Sequence, residues 1–314
     1  MKSRSPLHMI LEYLAVGSGI LLFSFLPRPC LVWLSRVLGT CAYRIAARER
    51  RIALANLDVA FGDGKTDSEK TEIAKRAFWN FSLLLLDYFW FSVFTRSRVE
   101  RWVDVDPSIH RGLSSKPVMI VSLHYGNWEV SALRIGIDHE DVACVAKTIE
   151  SDAFDGLVNR LRQKTGQKVY QREGAVKGIL QTFKRSGIVS LLLDQNTLPE
   201  EGGGFVDFFG LPTPMSTVTS MISKKTDSVI VFGYCYPDSK GRYTMAMNDA
   251  SPVHLAENPT QEVASQYESL IRERPEYWLW MYKRWKFRLE ESPSERYPYY
   301  ARDYKSPSET KSEV

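Results

Sequence analysis

The chain has 314 residues, of which 44% are hydrophobic and 25% charged, a balance typical of a globular protein and not of a disordered one. Its formal net charge of +4 is too small to indicate a nucleic-acid-binding protein. The four cysteines form no CxxC pair, and none has a histidine at metal-ligand spacing. We therefore expect reduced, mostly buried thiols in a cytosolic compartment and no structural zinc site.

The segment 7–26 is apolar and about as long as the roughly 20 residues that cross a bilayer core. Lys2 and Arg4 precede it, but no small-residue cleavage site follows, so the pattern does not indicate a secretory signal. Glu12 leaves only residues 13–26 free of charge. Two alternatives follow: a single spanning helix, which we favour, and a helix that dips into one leaflet. A buried core helix fits less well, because apolar residues occur on every face.

Arginines are concentrated directly after this segment. The richer basic side of a membrane segment stays in the cytoplasm, so we expect the bulk of the protein to lie inside, against the inner leaflet. The region 30–58 combines these arginines with leucine and isoleucine in a helical pattern. Such a pattern is typical of a helix on an anionic membrane surface, or of a solvated helix packed on a domain. The arginines are Arg28, Arg36, Arg44, Arg48, Arg50 and Arg51.

A second helical stretch follows a turn at 62–64. Thr66 or Asp67 can cap a helix that begins near Ser68 and runs to Phe94. Its middle is very apolar, which suits either a core helix or a membrane-facing one.

After Pro107 short β-rich runs alternate with polar, helix-like stretches. This alternation predicts an α/β domain whose central sheet, mostly parallel or mixed, is covered by helices on both faces. The predicted strands are 118–123, 142–147, 168–170, 188–193, 229–236 and 243–247.

These observations divide the chain into four regions. Residues 1–29 form the predicted membrane anchor helix, and residues 30–106 form a basic and apolar helical region. Residues 107–290 form the α/β core. The tail at 291–314 is rich in Ser, Pro, Glu, Lys and Tyr, and we expect it to be disordered.

A histidine follows the first buried strand, 118–123, directly. Gly126 then permits a tight turn, Asn127 can cap and so support the next helix, and Glu129 falls in its first turn. Reactive groups in α/β sheets gather beyond the carboxyl ends of strands. Because His124 precedes the helix, its ring and the Glu129 carboxylate can converge, which would leave one imidazole nitrogen free to remove a hydroxyl proton. An isolated histidine would be interpreted as structural, but this context favours a catalytic base.

The stretch His124-Tyr-Gly-Asn-Trp-Glu129 resembles the His-x4-Glu motif of the late acyltransferases of lipid A biosynthesis. These are the lauroyl and myristoyl transferases within the lysophospholipid acyltransferase superfamily. The resemblance covers roughly residues 7–288, and the combination of segments is specific where a single one would not be. The other similar segments are Arg51–Phe61, Asn159–Arg162, Leu193–Gln195, Phe205–Gly210 and Pro275–Lys286.

The resemblance implies a membrane-anchored enzyme that moves a fatty acyl chain directly from an acyl thioester to a lipid hydroxyl. The donor would be acyl carrier protein or coenzyme A, with no cofactor or metal. His124 would be the general base and Glu129 its orienting partner. Arg160 and Asp194 are carried over as substrate-binding or supporting residues, with Arg162 a weaker candidate. Arg160 would bind a phosphate, or support Glu129 or the oxyanion.

Two segments allow more than one interpretation. Residues 201–209 predict a mobile Gly-rich loop followed by phenylalanines, which would line an acyl-chain channel or form a core strand. The aromatic and basic residues of 278–288 suit a membrane interface or an acidic carrier protein, but also an ordinary strand or helix end.

The acceptor also stays open between a Kdo-bearing lipid A precursor, another glycolipid and a lysophospholipid. Two other classes remain, a membrane-surface hydrolase and an inactive scaffold. The intact His124 and Glu129 argue against the scaffold.

Overall fold

The structure is a computed structural model, and it describes residues 5–106, 109, 117–249, 253 and 256–306. Helices precede the sheet in the chain and then alternate with its strands, as predicted for an α/β protein. The helices are α1 (Pro6–Phe23), α2 (Arg28–Ile45), α3 (Ala47–Phe61), α4 (Asp67–Trp90), α5 (Thr95–Trp102), α6 (Trp128–Asp138), α7 (Asp152–Lys164), α8 (Ala175–Phe183), α9 (Val218–Ser223) and α10 (Pro259–Glu273).

The described part of the chain contains a central mixed sheet of seven strands in the order β1-β9-β8-β2-β5-β3-β4. Neighbouring strands are parallel except β8 and β9, so the five consecutive strands from β8 to the edge strand β4 are parallel. This arrangement confirms the predicted α/β class. The strands of this sheet are β1 (Val103–Val105), β2 (Val118–Ser122), β3 (Val142–Ala146), β4 (Lys168–Gln171), β5 (Ile188–Leu192), β8 (Val229–Pro237) and β9 (Tyr243–Asp249).

Two small strand pairs lie outside the central sheet. An antiparallel hairpin joins β6 (Gly203–Phe208) to β7 (Leu211–Ser216), and β10 (Phe287–Arg288) pairs with β11 (Arg302–Asp303). The hairpin occupies the segment for which the sequence predicted a mobile loop. Its Phe208 and Phe209 are buried against Trp278 and Trp285, so the core-strand alternative holds.

Apolar side chains are exposed along α1 and α2. In the described residues no single helix is both long and apolar enough to cross a membrane. Residues 28–45 and 47–64 meet those criteria only as a pair, and that pair is bent by 92°. The exposed side chains are Leu7, Ile10, Leu11, Tyr13, Leu14, Leu21, Leu22, Phe25, Trp33, Val37, Leu38 and Ile45.

Glu12, the charge that interrupts the first apolar segment, faces the protein. Its carboxylate accepts a hydrogen bond from Ser151 Oγ at the start of α7 (2.8 Å) and lies 3.0 Å from His8 Nε2. Only 17% of its side chain is exposed. Glu12 therefore places no charge on the exposed apolar face of α1.

A buried ion pair joins α2 to α4. Arg28, the first residue of α2, contacts Asp87 through both terminal guanidinium nitrogens, and the Arg28 side chain is fully buried. Asp87 also accepts hydrogen bonds from Tyr243 on β9 and from Asn127 before α6. Removing one partner of a buried pair typically costs about 3–5 kcal/mol, so this cluster fixes the N-terminal helices to the sheet.

Helix α4 lies in the core and begins at a capping box. Thr66 accepts from the Glu69 amide, and the Glu69 carboxylate accepts from the Thr66 amide, as the predicted cap requires. Of the two alternatives for its apolar middle, the structure favours the core. Its buried residues include Phe78, Leu83, Leu84, Leu86 and Trp90.

The structure differs from the predicted disorder of the tail over residues 291–306. Tyr297 is buried, and its hydroxyl donates to the Pro212 carbonyl (2.9 Å). Tyr300 donates to Asn56 of α3. The prediction of disorder rested on the polar composition of the tail, which does not show that single tyrosines are buried. Residues 307–314 lie outside the described part.

The cysteines are all free, but only two are buried. Cys144 and Cys235 lie in the core, whereas Cys30 and Cys41 are exposed. Both exposed thiols belong to α2. The expectation of mostly buried thiols was wrong for them, because the sequence pattern did not show which face of this helix is exposed.

Candidate functional site

His124 and Asp194 lie side by side at the carboxyl edge of the sheet. The parallel register pairs Ser122 of β2 with Leu192 of β5, which brings the residues two positions further along each strand opposite one another. His124 Nδ1 is 2.7 Å from Asp194 Oδ1. The sequence placed both residues at this edge, and the structure joins them directly.

The Asp194 carboxylate is almost fully buried and holds three groups. Besides the imidazole, it accepts from the His124 backbone amide (3.0 Å) and from Trp278 Nε1 (2.9 Å). Burial acts to raise the pKa of this carboxyl, but the His124 imidazole and these hydrogen bonds outweigh it and lower the pKa below its ordinary value. Asp194 is therefore ionised, its position is fixed, and it holds the ring of His124.

The chain turns sharply after His124. Gly126 has φ of 58°, and a Cβ there would lie 1.9 Å from the Cys235 carbonyl oxygen, so only glycine fits. Leu279 donates its amide to the His124 carbonyl oxygen (3.0 Å). The turn is thus held from the β8 side and from the closing segment, defined here as residues 275–285.

Asn127 caps α6 as the sequence predicted. Its Oδ1 accepts from the Val130 amide (3.0 Å), and its Nδ2 donates to Asp87 (2.9 Å). The start of α6, which carries Glu129, is therefore attached to the buried ion pair between α2 and α4.

Glu129 is bound to Arg162, and this corrects the predicted pairing of Glu129 with His124. The Arg162 guanidinium donates two hydrogen bonds to the Glu129 carboxylate, at 3.0 and 2.6 Å. Only 12% of the Arg162 side chain and 8% of the Glu129 side chain are exposed. The first turn of α6 directs the carboxylate towards α7, while the carboxylate on the imidazole comes from β5.

The prediction that Arg160, in preference to Arg162, would support Glu129 is also wrong. Arg160 is exposed, and its Nε donates to the Gly156 carbonyl of its own helix (3.0 Å). Two residues along a helix point in different directions, so only one member of the pair can face α6. Asp155 and Ser151 also lie at the start of this helix, and neither contacts Glu129 in the described residues.

A mostly apolar cavity of about 50 Å³ lies between the sheet and α6, beside this ion pair. Trp128, which follows the turn after His124, and Leu192, two residues before Asp194, form part of its wall. The Trp128 ring also meets the His124 ring edge to face, with centroids 4.8 Å apart. Apolar walls thus adjoin one side of the imidazole.

Sequence reasoning missed two residues at the imidazole. Trp278, for which it left open an interface and an ordinary strand or helix end, is buried and donates to Asp194. Gln195, quoted only as part of a motif, has its Nε2 3.3 Å from His124 Nε2. Neither contact follows from sequence spacing, because one crosses the molecule and the other depends on a side-chain direction.

Residues 1–287 match the model of one protein family, the bacterial lipid A biosynthesis acyltransferases. The chain belongs to this family. The match confirms the resemblance seen in the sequence, and as a member of the family the chain is an O-acyltransferase.

Three proteins of Escherichia coli K12 illustrate the similarity. A lipid A biosynthesis lauroyltransferase is 24% identical over 293 residues, which are 89% of this chain and 93% of that protein. A palmitoleoyltransferase is 24% identical over 300 residues, which are 91% of this chain and 95% of that protein. A myristoyltransferase is 21% identical over 277 residues, covering 85% and 83%.

The buried pairing in this acyltransferase predicts different effects for neighbouring arginines. Arg162→Met should lower the free energy of unfolding by about 3–5 kcal/mol, because it leaves the buried Glu129 carboxylate without an opposite charge. Arg160→Met is the matched control and should change it by no more than about 0.5 kcal/mol. Urea unfolding in detergent measures both, and equal losses would contradict the assignment of Glu129 to Arg162.

The lowered pKa of Asp194 predicts a pH-dependent stability. Asp194→Asn should reduce the free energy of unfolding near neutral pH, by about 1.5–3 kcal/mol for each charged hydrogen bond lost. Because folding lowers this pKa, the advantage of the wild type is complete above the unfolded-state pKa of about 3.9. It is then lost as the pH falls through the folded-state pKa.

Urea unfolding of both proteins between about pH 7 and about pH 3 tests this linkage. The two stabilities should approach each other on the acid side. A difference that stays constant over this range would show that the Asp194 charge does not stabilise the fold.

Proposed function

We propose that this protein transfers a fatty acyl chain from an acyl thioester to a hydroxyl group of a lipid A precursor, with His124 as general base. One observation carries the proposal. His124 Nδ1 is bound to a buried carboxylate whose pKa is lowered, while the ring remains 17% exposed at the carboxyl edge of the sheet. A base fixed in this way can take a proton from an approaching hydroxyl.

Asp194 takes the role that the sequence gave to Glu129. Its carboxylate accepts a hydrogen bond from the Nδ1–H group, so the free lone pair of the neutral imidazole lies on Nε2. When Nε2 accepts the proton of the hydroxyl, the resulting imidazolium is stabilised by the adjacent negative charge. The hydroxyl oxygen attacks the thioester carbon directly, and no acyl-enzyme is needed.

Glu129 and Arg162 have a supporting role in this proposal. Their ion pair fixes the first turn of α6 against α7, and Asn127 fixes the same turn to Asp87. The position of His124 depends on the turn that leads from β2 into this helix. The pair also borders the cavity beside Trp128, where apolar walls suit the part of an acyl chain next to the thioester.

The names of the relatives support a lipid A acceptor. They are described as lauroyl, palmitoleoyl and myristoyl transferases, so the acyl group differs among them, whereas all three are named for lipid A biosynthesis. We propose a lipid A precursor as acceptor, with acyl carrier protein, in preference to coenzyme A, as the carrier of the donor.

We also propose that the protein binds the bacterial inner membrane through the outer face of α1 and α2, with the sheet on the cytoplasmic side. Leu14, Leu21 and Leu22 are between 61% and 72% exposed and lie on one side of α1. Arg36, Arg44 and Arg48 are exposed on α2 and α3 and suit anionic lipid headgroups. An apolar acceptor lipid would then reach the site from the bilayer.

His124→Gln should reduce the rate of acyl transfer by about 10²–10⁴-fold, because general base catalysis contributes that much. Purified protein in detergent is supplied with a radiolabelled acyl group, carried by acyl carrier protein or by coenzyme A. A lipid extract that contains accumulated lipid A precursor is added. Label in the precursor, lost in the variant, is the expected result. His139→Gln, at the far end of α6 and about 16 Å along that helix, is the control.

The other results identify other reactions. Label in phospholipid would replace the acceptor by a lysophospholipid. Label only in free fatty acid would mean that His124 activates water and the protein is a hydrolase. Absence of label from every product would leave an inactive scaffold.

Replacing Leu14, Leu21 and Leu22 together by Ser should weaken flotation of the protein with vesicles that contain anionic lipid. The reason is that burial of apolar area drives interfacial binding, at about 25 cal/mol per Å². Val176→Ser with Tyr299→Ser, which change exposed apolar residues outside α1 and α2, is the control. Equal flotation of the triple variant and the wild type would contradict the proposed surface.

A further inference from the structure

We propose that Gln195 is a further catalytic residue, whose side-chain amide donates a hydrogen bond to the tetrahedral oxyanion formed during acyl transfer. The inference rests on the proposed function, because it assigns a part in that reaction. The observation behind it is the distance of 3.3 Å between Gln195 Nε2 and His124 Nε2, on an exposed side chain.

The direction of this contact follows from the other side of the ring. Asp194 accepts a hydrogen bond from Nδ1–H of His124. His124 Nε2 is therefore an acceptor, and the Gln195 amide is the donor. An acceptor hydroxyl must come within about 2.6–3.2 Å of the same Nε2 to transfer its proton. It therefore takes over the hydrogen bond of the amide and leaves an N–H donor free beside the reacting atoms.

The backbone on both sides of Gln195 is fixed, while its side chain is exposed. Asp194 is held by His124 and Trp278, and the Asn196 amide donates to the Tyr282 hydroxyl (3.0 Å). Asn196 Nδ2 also donates to the Lys283 carbonyl oxygen (2.9 Å). The displaced amide group thus stays within one side-chain rotation of the base nitrogen.

The catalytic turn itself offers few donors for an oxyanion. The amides of three successive residues in it are already bonded to carbonyl oxygens, so they cannot form the oxyanion hole without breaking the turn. These are Tyr125 to Leu123, Gly126 to Tyr277, and Asn127 to Cys235, at 2.7, 2.9 and 2.9 Å. A side-chain amide next to the base meets this need, and it carries no charge that changes with pH.

The hydroxyl oxygen bonds to the thioester carbon, its proton passes to His124 Nε2, and the carbonyl π pair moves onto the carbonyl oxygen. Gln195 donates to that oxygen, which is now negative. The carbonyl re-forms, the carbon–sulfur bond breaks with its electron pair on sulfur, and the thiolate takes the proton from Nε2.

Gln195→Ala and Gln195→Met should each lower kcat by about 10²–10³-fold with little change in KM, as expected for one oxyanion donor. Gln195→Glu keeps the shape but removes the donor, so kcat should fall at least as far. The melting temperature should not change, because the side chain is exposed.

Gln171→Ala is the matched control. Gln171 ends β4 at the same edge of the sheet and is exposed, and its Oε1 accepts from Thr148. This variant should transfer acyl groups at the wild-type rate.

The outcomes separate this inference from the function on which it rests. If Gln195→Ala works at the wild-type rate or faster, the amide only covers the base and the assignment is overturned. A loss confined to KM overturns it as well and makes Gln195 a binding residue. Absence of transfer by the wild-type protein overturns the proposed function, and the assignment with it.

Discussion

The Asp194 carboxylate is the point on which the rest of the site depends. It is buried, so its charge would be costly without partners, and the structure supplies them from two separate parts of the chain. His124 contributes its backbone amide and its ring, and Trp278 contributes its indole nitrogen. One charged group thus joins the end of β2, the end of β5 and the closing segment. The imidazole is oriented by the same contacts that hold these three elements together.

Much of the fold could be predicted from the sequence because its signals are local. The strands at 118–123, 142–147, 188–193 and 229–236 are short buried runs, and the cap at Thr66 is a local pattern. Exposure was harder to predict, since composition does not tell which face of a segment is covered. The tryptophans at 278–285 alternate with cations and could equally have lain on a membrane surface. The tail at 291–306 is polar on average, yet Tyr297 fixes it to β7.

Most residues of the candidate site were predicted from the sequence, apart from Trp278 and Gln195, but their pairings were not. His124, Glu129, Arg162 and Asp194 all take part, and Asn127 caps α6. The sequence pairs residues that are near in the chain, which led to the partnership of His124 with Glu129. The actual partner of the imidazole lies 70 positions away, and only the register between β2 and β5 brings it there. Such a register is a tertiary property that one sequence without strand pairings does not reveal.

The buried cluster around Asp87 limits how this protein can be recombined with its relatives. Arg28, Tyr243 and Asn127 come from three distant parts of the chain, and all of them bind this one carboxylate. Consider a chimera that received helices α1–α3 from another protein, with a different residue at position 28. It would leave the buried Asp87 carboxylate on α4 without its opposite charge, beneath the helix that carries Glu129. Helices α1–α3 and the central sheet can therefore be exchanged only if these four residues are kept together.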